Sequence, residues 1–348
     1  MVKEDKKIYL VEVNHKVLSE QNLSELPPLN LTFNVLDHGI WGGKYYLPVE
    51  SQVKKNTNVI LQTSCVGNID SLTWMEAPEL TGTGMDVKVH YATLNSLDAK
   101  RCTGVIPVDS ESTLTFGMDF SGVTKSGVRV MGIVQTGALS SVVRVKSEQL
   151  WPVPAHWTLE EAATVPLAYS FAFYCLTRTS TLKPGLKILV HGGTGALAQA
   201  VISIALAFNC EVFTTVSNQK KKQFLRKLFP QLKENHIGNS RDHTFKDMVM
   251  AATKSVGCDI IISSATKEYR PITLSCLSTT GVYYDISLLQ ERENYVLGMN
   301  YIDCCRSYTT IDLSCIFSNE SIMKRLQGLV IDGIARGYVR PLTRITFA

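Results

Sequence analysis

The chain has 348 residues, enough for two domains with cores of their own. Hydrophobic residues make up 45% and charged residues 19%, which argues against a disordered chain; a net charge of +4 without a long basic block argues against a nucleic-acid partner. The N-terminus mixes charges of both signs with a short apolar run, unlike a signal peptide, and no apolar segment reaches bilayer length, so a cytoplasmic protein without membrane contact is expected.

Residues 1–30 are polar and end in Pro27-Pro28, which reads as a leader or linker. Residues 31–160 carry short β runs broken by turn residues: Val59-Ile-Leu-Gln-Thr, Val87-Lys-Val-His-Tyr-Ala, Gly127 to Val134 and Ser141-Val-Val-Arg-Val145. Strands without intervening helices predict a compact β domain. Nine cysteines stand at irregular spacings with no Cys-x-x-Cys pair, so neither a disulfide framework nor a metal site is expected. Thr158-Leu-Glu-Glu161 is a capping box that opens a helix.

From there strands and helices alternate. Helices are expected over 160–177, 196–208, 219–228 and 245–253, and strands over 187–191, 211–216, 259–263, 281–286 and 306–313. Such alternation predicts a parallel sheet covered on both faces over residues 161–313. Residues 314–348 add a helix over 322–335 and a short strand after Pro341.

The strand Lys187 to His191 runs into Gly192-Gly-Thr-Gly195 and then into the alanine-rich helix from Ala196. Gly193, Gly195 and Ala198 fit GxGxx(G/A), in which a dinucleotide pyrophosphate sits on the helix N-terminus; a plain structural turn is the alternative. The next strand ends in Val216-Ser217-Asn218 with no acid for a ribose 2′-hydroxyl, and Lys220-Lys221-Lys222 follows. Those cations suit a 2′-phosphate and hence NADPH, although a lysine run is also an ordinary solvated helix face.

Several stretches together resemble the medium-chain dehydrogenase/reductase superfamily, within it the enoyl reductase domain of animal type I fatty acid synthases and related polyketide synthases. They are Phe116-Gly-Met-Asp-Phe-Ser-Gly122, Gly127-Val-Arg-Val-Met-Gly132, Trp157 to Ala163, the His191 glycine turn, Val212-Phe-Thr-Thr-Val216, Asn239-Ser-Arg-Asp242 and Gly333 to Leu342. The resemblance implies an α/β fold in which a doubly wound Rossmann sheet joins a GroES-like β domain, with a family C-terminus that extends beyond Ala348. It implies an enzyme without zinc that uses NADPH to reduce a 2-enoyl thioester on an acyl carrier, with other synthase domains as partners and a homodimer as the assembly. The expected cofactor residues are Gly192, Gly193, Thr194, Gly195, Ala196, Ser217, Lys221, Lys222 and Tyr169; Asn95 and Asp98 are expected on the substrate side.

The departures from the family bear on activity. Ala196 and Ala198 stand where the family usually has Gly, Leu288 stands where it has a Lys proposed as proton donor, and Ser314 or Cys315 where it has an Asp. Asp312 is then the candidate proton donor if the strand register shifts by two. Phe171 replaces a smaller residue on the cofactor side. A degenerate scaffold domain and a freestanding quinone or alkenal reductase are the alternative readings. His191, as a strand-end residue, reads as a satisfied core or turn histidine, and Asp285 as a solvated strand end.

Overall fold

The structure is a computed structural model that describes residues 10–14, 33–37, 40–43, 58–106, 115–179, 181–265, 268–287 and 298–347. The chain divides into two compact units, Met1–Lys55 and Asn56–Ala348. The first holds strand β1 (Leu10–Asn14) parallel to β2 (Phe33–Asp37), which pairs antiparallel with β3 (Ile40–Gly43). Part of the stretch read as a leader is therefore a strand, since Leu10-Val-Glu-Val carries the β-branched residues that a ladder favours.

The second unit opens with a hairpin of β4 (Val59–Thr63) and β5 (Leu72–Glu76). Then come β6 (Met85–Ala92), helix α1 (Ser96–Cys102), β7 (Asp119–Thr124), β8 (Arg129–Ile133), β9 (Val142–Val145) and β10 (Leu150–Pro152). These five strands form one antiparallel sheet in the order β10-β8-β7-β6-β9. Helices α2 (Leu159–Ala162) and α3 (Pro166–Thr177) follow. The single helix expected over 160–177 is broken at Pro166, which lacks an N–H to donate back into α2 and starts α3 instead.

The remaining elements are β11 (Lys187–Val190), α4 (Ala196–Ala207), β12 (Glu211–Val216), α5 (Gln219–Leu228), β13 (Ile237–Asn239), α6 (Thr244–Ala252), β14 (Cys258–Ser263), α7 (Arg270–Leu274), β15 (Leu277–Asp285), β16 (Ser307–Thr310) and α8 (Glu320–Ala335). The six strands lie parallel in the order β13-β12-β11-β14-β15-β16. Strand order reverses between β11 and β14, so the crevice at their carboxyl ends is where a doubly wound sheet takes its ligand. Ile188, Leu189, Val190, Ile260, Ile261 and Ile262 are all buried, as expected of central strands covered on both faces. The strand expected over 306–313 ends at Thr310, and a 3-10 turn occupies Leu313–Ile316. Among the described residues no strand forms after Pro341; that segment is held by the Leu342 amide donating to Thr164 Oγ1 at 2.9 Å and by Arg344 Nε on Glu160 Oε1 at 2.7 Å.

Helix α8 ties the antiparallel sheet to the parallel one. Trp151, fully buried, donates its indole N–H to Gln327 O at 3.2 Å, and the Gln327 amide returns bonds to Ser147 O and Leu150 O at 2.8 and 2.7 Å. Among the described residues no helix is long and apolar enough to cross a membrane, and no cluster of His, Cys, Asp and Glu could hold a metal ion.

Two buried carboxyl groups have different fates. Asp285 at the end of β15 is fully buried, not solvated as its strand-end position implies: Arg270 Nε lies 3.1 Å away, the Ser287 amide donates to it at 2.9 Å, and the Tyr308 hydroxyl donates to it as well. Asp119 has no such counter-charge. It accepts from the Thr93 hydroxyl, and burial pushes its carboxyl up to about 8.

Two outcomes follow. Replacing Asp285 by Ala strands a buried guanidinium and should cost roughly 3–5 kcal/mol in urea unfolding. Asp119 binds its proton more tightly when folded, so its contribution is fully present below the unfolded value of about 3.9 and is lost as pH rises through about 8. Asp119→Asn should remove that decline, seen as a wild-type minus variant stability that falls between pH 5 and pH 9; a flat difference would place the proton elsewhere.

Candidate functional site

The site is built on the turn between β11 and α4. Gly192 adopts φ +69°, a left-handed conformation that favours glycine. Gly193 is required for close approach, because a Cβ there would lie 2.5 Å from Thr214 Oγ1 and 2.7 Å from Leu225 Cδ1. Its amide donates to Thr215 O at 2.9 Å, which locks the turn onto β12. Gly195 occupies the N-cap of α4 and offers no side-chain cap, so the first amides of a 12-residue helix are open to an acceptor from outside. Thr194 contributes its carbonyl to the turn, accepting from Gln199 Nε2 at 2.8 Å.

The two alanines of the turn differ. Ala196 is the exposed first residue of α4, whereas Ala198 is buried at 4% exposure. Only the methyl of Ala196 therefore stands on the open side, where an anion would sit; that of Ala198 belongs to the packing of α4. His191 is a satisfied turn residue: Nδ1 is 2.8 Å from Thr215 Oγ1 and Nε2 3.1 Å from Thr273 Oγ1. Burial lowers it to about 4, which leaves a neutral imidazole.

At the end of β12, Ser217 is half-buried and Asn218 caps α5 by accepting from the Lys221 amide at 2.9 Å. Lys221 is exposed. Lys222 is not equivalent to it, because its ammonium lies 3.6 Å from Glu234 Oε1. Tyr169 is a core residue by its burial. It is 1% exposed, and its hydroxyl accepts from the Arg340 amide at 3.3 Å, so an aromatic ring on an almost wholly buried helix has gone to the core.

Across the crevice, Asn95 and Asp98 form a capping box at the start of α1. Asn95 Oδ1 accepts from the Leu97 amide at 2.8 Å, and the carboxylate of Asp98 accepts from the Asn95 and Gly117 amides at 3.0 and 2.8 Å. Asp98, only 4% exposed, anchors the start of this helix. The amide nitrogen of Asn95 is buried without a hydrogen-bond partner, which leaves it as the donor of this pair. Lys100, near the end of α1, crosses to the parallel sheet, its Nζ donating to Ser287 O at 3.1 Å. That bond puts α1 against the carboxyl end of β15.

The donor positions read from sequence fare unequally. Leu288 lies outside the described residues. Asp312 is exposed beyond the edge strand, where it accepts from the Ser314 hydroxyl at 2.6 Å. It sits at the head of a 3-10 turn, so the alternation of a strand cannot carry it to the place of Ser314. Sequence reasoning missed Lys100, Asp119 and the Arg270–Asp285 pair. Lys100-Arg101 looks like any basic helix end, and only the tertiary fold brings it to Ser287.

No protein-family model matches the chain. The highly reducing polyketide synthase of Eupenicillium brefeldianum is 26% identical over 313 residues, 85% of this chain and 13% of the synthase. The low-reducing polyketide synthase drtA of Aspergillus calidoustus is 30% identical over 250 residues, 68% of this chain; the chain thus spans only 10 to 13% of the length of these relatives. Among solved structures, CurK enoyl reductase superposes with a TM-score of 0.74 at 25% identity, covering 84% of this chain and 92% of its own. The Escherichia coli quinone oxidoreductase complexed with NADPH shares the fold, with a TM-score of 0.67 at 18% identity over 83% of this chain and 90% of its own. Joined to the strand order, the open helix end and the antiparallel sheet set against it, these likenesses make the chain an enoyl reductase-like domain, similar in sequence to part of reducing polyketide synthases and in fold to CurK enoyl reductase.

Proposed function

We propose that this domain binds NADPH at the β11–α4 turn and reduces the 2,3 double bond of an enoyl thioester presented on an acyl carrier. The observation that carries the reading is the open N-terminus of α4 at the point where strand order reverses, with α1 facing it across the crevice. The residues fit the cofactor: the turn has a glycine where β12 and α5 come closest, the helix end offers bare amides to a pyrophosphate, and Lys221 is an exposed cation after β12 that suits a 2′-phosphate. Bound there, NADPH would supply a hydride; the protein's part is to orient the acyl chain, exclude water and balance charge. Reduction of fatty acyl intermediates is the narrower form of this reading, and a carrier protein, neighbouring synthase domains and a second copy of the chain are its proposed partners.

A second reading, a retained scaffold without cofactor, is favoured by Ala196, whose methyl stands on the open side of the turn. Calorimetric NADPH binding decides between them: a micromolar site supports the reductase and no binding supports the scaffold.

Four variants sharpen the test. If the Ala196 methyl crowds the pyrophosphate, overpacking of roughly 1–3 kcal/mol is relieved in Ala196→Gly, and NADPH affinity should rise by about one to two decades. Ala198→Gly, inside the packed helix, should instead lower thermal stability by about 1 kcal/mol with little change in affinity. Lys221→Ala should weaken NADPH while sparing NADH, and Lys222→Ala, whose cation is already paired with Glu234, should do much less. Equal losses of both cofactors in Lys221→Ala would remove its role.

A further inference from the structure

We propose that Lys100 is the cation that steadies the negative charge developing on the substrate's thioester oxygen, an inference that rests on the enoyl reductase reading. Saturating a 2-enoyl thioester forces charge onto that oxygen. The β-carbon gains a hydride from the reduced dinucleotide, which is thereby oxidised; a C–H bond forms, and the π pair of the C=C bond moves toward the α-carbon and the carbonyl oxygen. The resulting enolate then takes a proton from solvent at the α-carbon, and the C=O bond is restored. Donors fixed beside the oxygen lower the barrier because their interaction grows as the charge develops.

Among the described residues few groups at the crevice can serve. His191 is neutral and held between two threonine hydroxyls. Asp98 is an acceptor occupied by two backbone amides, and Arg270 is buried against Asp285. Asp312 lies exposed with Ser314 and carries the wrong charge for an oxyanion. Lys100 differs from all of these. It stands on the last turn of α1, an end that favours a cation, and its half-buried side chain spans the crevice to Ser287, itself 1% exposed.

An ammonium has three N–H donors. The Ser287 carbonyl takes one, which fixes the direction of the other two without neutralising the charge. Asp285, two residues before Ser287, does not compete for it, because Asp285 is held by Arg270, the Ser287 amide and the Tyr308 hydroxyl. The ammonium is thus aimed from one sheet, anchored on the other, and left with donors at the place where the two meet.

The test compares wild type with Lys100→Met and Lys100→Arg. NADPH affinity is measured by calorimetry, turnover with 2-butenoyl-pantetheine, and binding of acetoacetyl-pantetheine, whose enolate resembles the charged intermediate, to the cofactor-free protein. In Lys100→Met, kcat should fall about 10²- to 10³-fold with NADPH affinity and KM near wild type. Binding of the enolate analogue should weaken roughly tenfold to a hundredfold. Lys100→Arg, which keeps a cation and its donors, should recover at least a tenth of both. Wild-type turnover in Lys100→Met overturns the inference and leaves the reductase reading standing. Equal loss in both variants, or a loss that tracks NADPH affinity or melting temperature, also overturns it, since the bond to Ser287 would then be only a structural link. A wild-type protein that binds NADPH but leaves the butenoyl thioester unreduced removes the reductase reading and this inference together.

Discussion

A helix begins with amides that have no partner inside it, and how each start is satisfied decides what it can do. In this chain α1 closes its start with Asn95 and Asp98, α2 with Thr158 and Glu161, α5 with Asn218 and α8 with Asn319. Helix α4 has glycine there and no side chain to close it. The surrounding fold keeps that opening in place. The Gly193 amide is fastened to β12, Thr214 and Leu225 fill the space behind it, and the neutral His191 is pinned between two strand and helix threonines.

The opposite wall is fixed by different means. The antiparallel sheet is bound to the parallel unit through Trp151 and Gln327 at α8, and α1 is held by its own capping box and by Gly117. A rigid attachment on one side and a single long lysine on the other leave the crevice defined by side-chain reach more than by backbone contact. This is the kind of site in which loss of one flexible group changes chemistry without unfolding the protein.

Much of this could be read along the chain. The strand, glycine turn and helix from Lys187 to Ala207 and the β12 and α5 boundaries follow from local pattern, because short β-branched runs bounded by glycine or turn residues differ from the longer alanine-rich α4 and the amphipathic α5. The sequence misled where tertiary contacts override local signals. Asp285 looks solvated at a strand end until Arg270 arrives from α7. Strand β13 is three residues long, too short for an alternating pattern to register. Lys100 carries no local signature, because its place depends on a contact 187 residues away in sequence.

The pairing of Asp285 with Arg270 has an electrostatic consequence for the whole crevice. Because that carboxylate is balanced inside the core, the carboxyl end of β15 adds little negative potential to the opening, and among the described residues Lys100, Lys221 and the positive end of the α4 dipole contribute positive potential there. An approaching polyanion therefore meets these cations without opposition from Asp285, over a range of about 8 Å at physiological ionic strength. Capture of such a ligand is governed by salt as well as by shape, and the buried ion pair contributes to it only by staying silent.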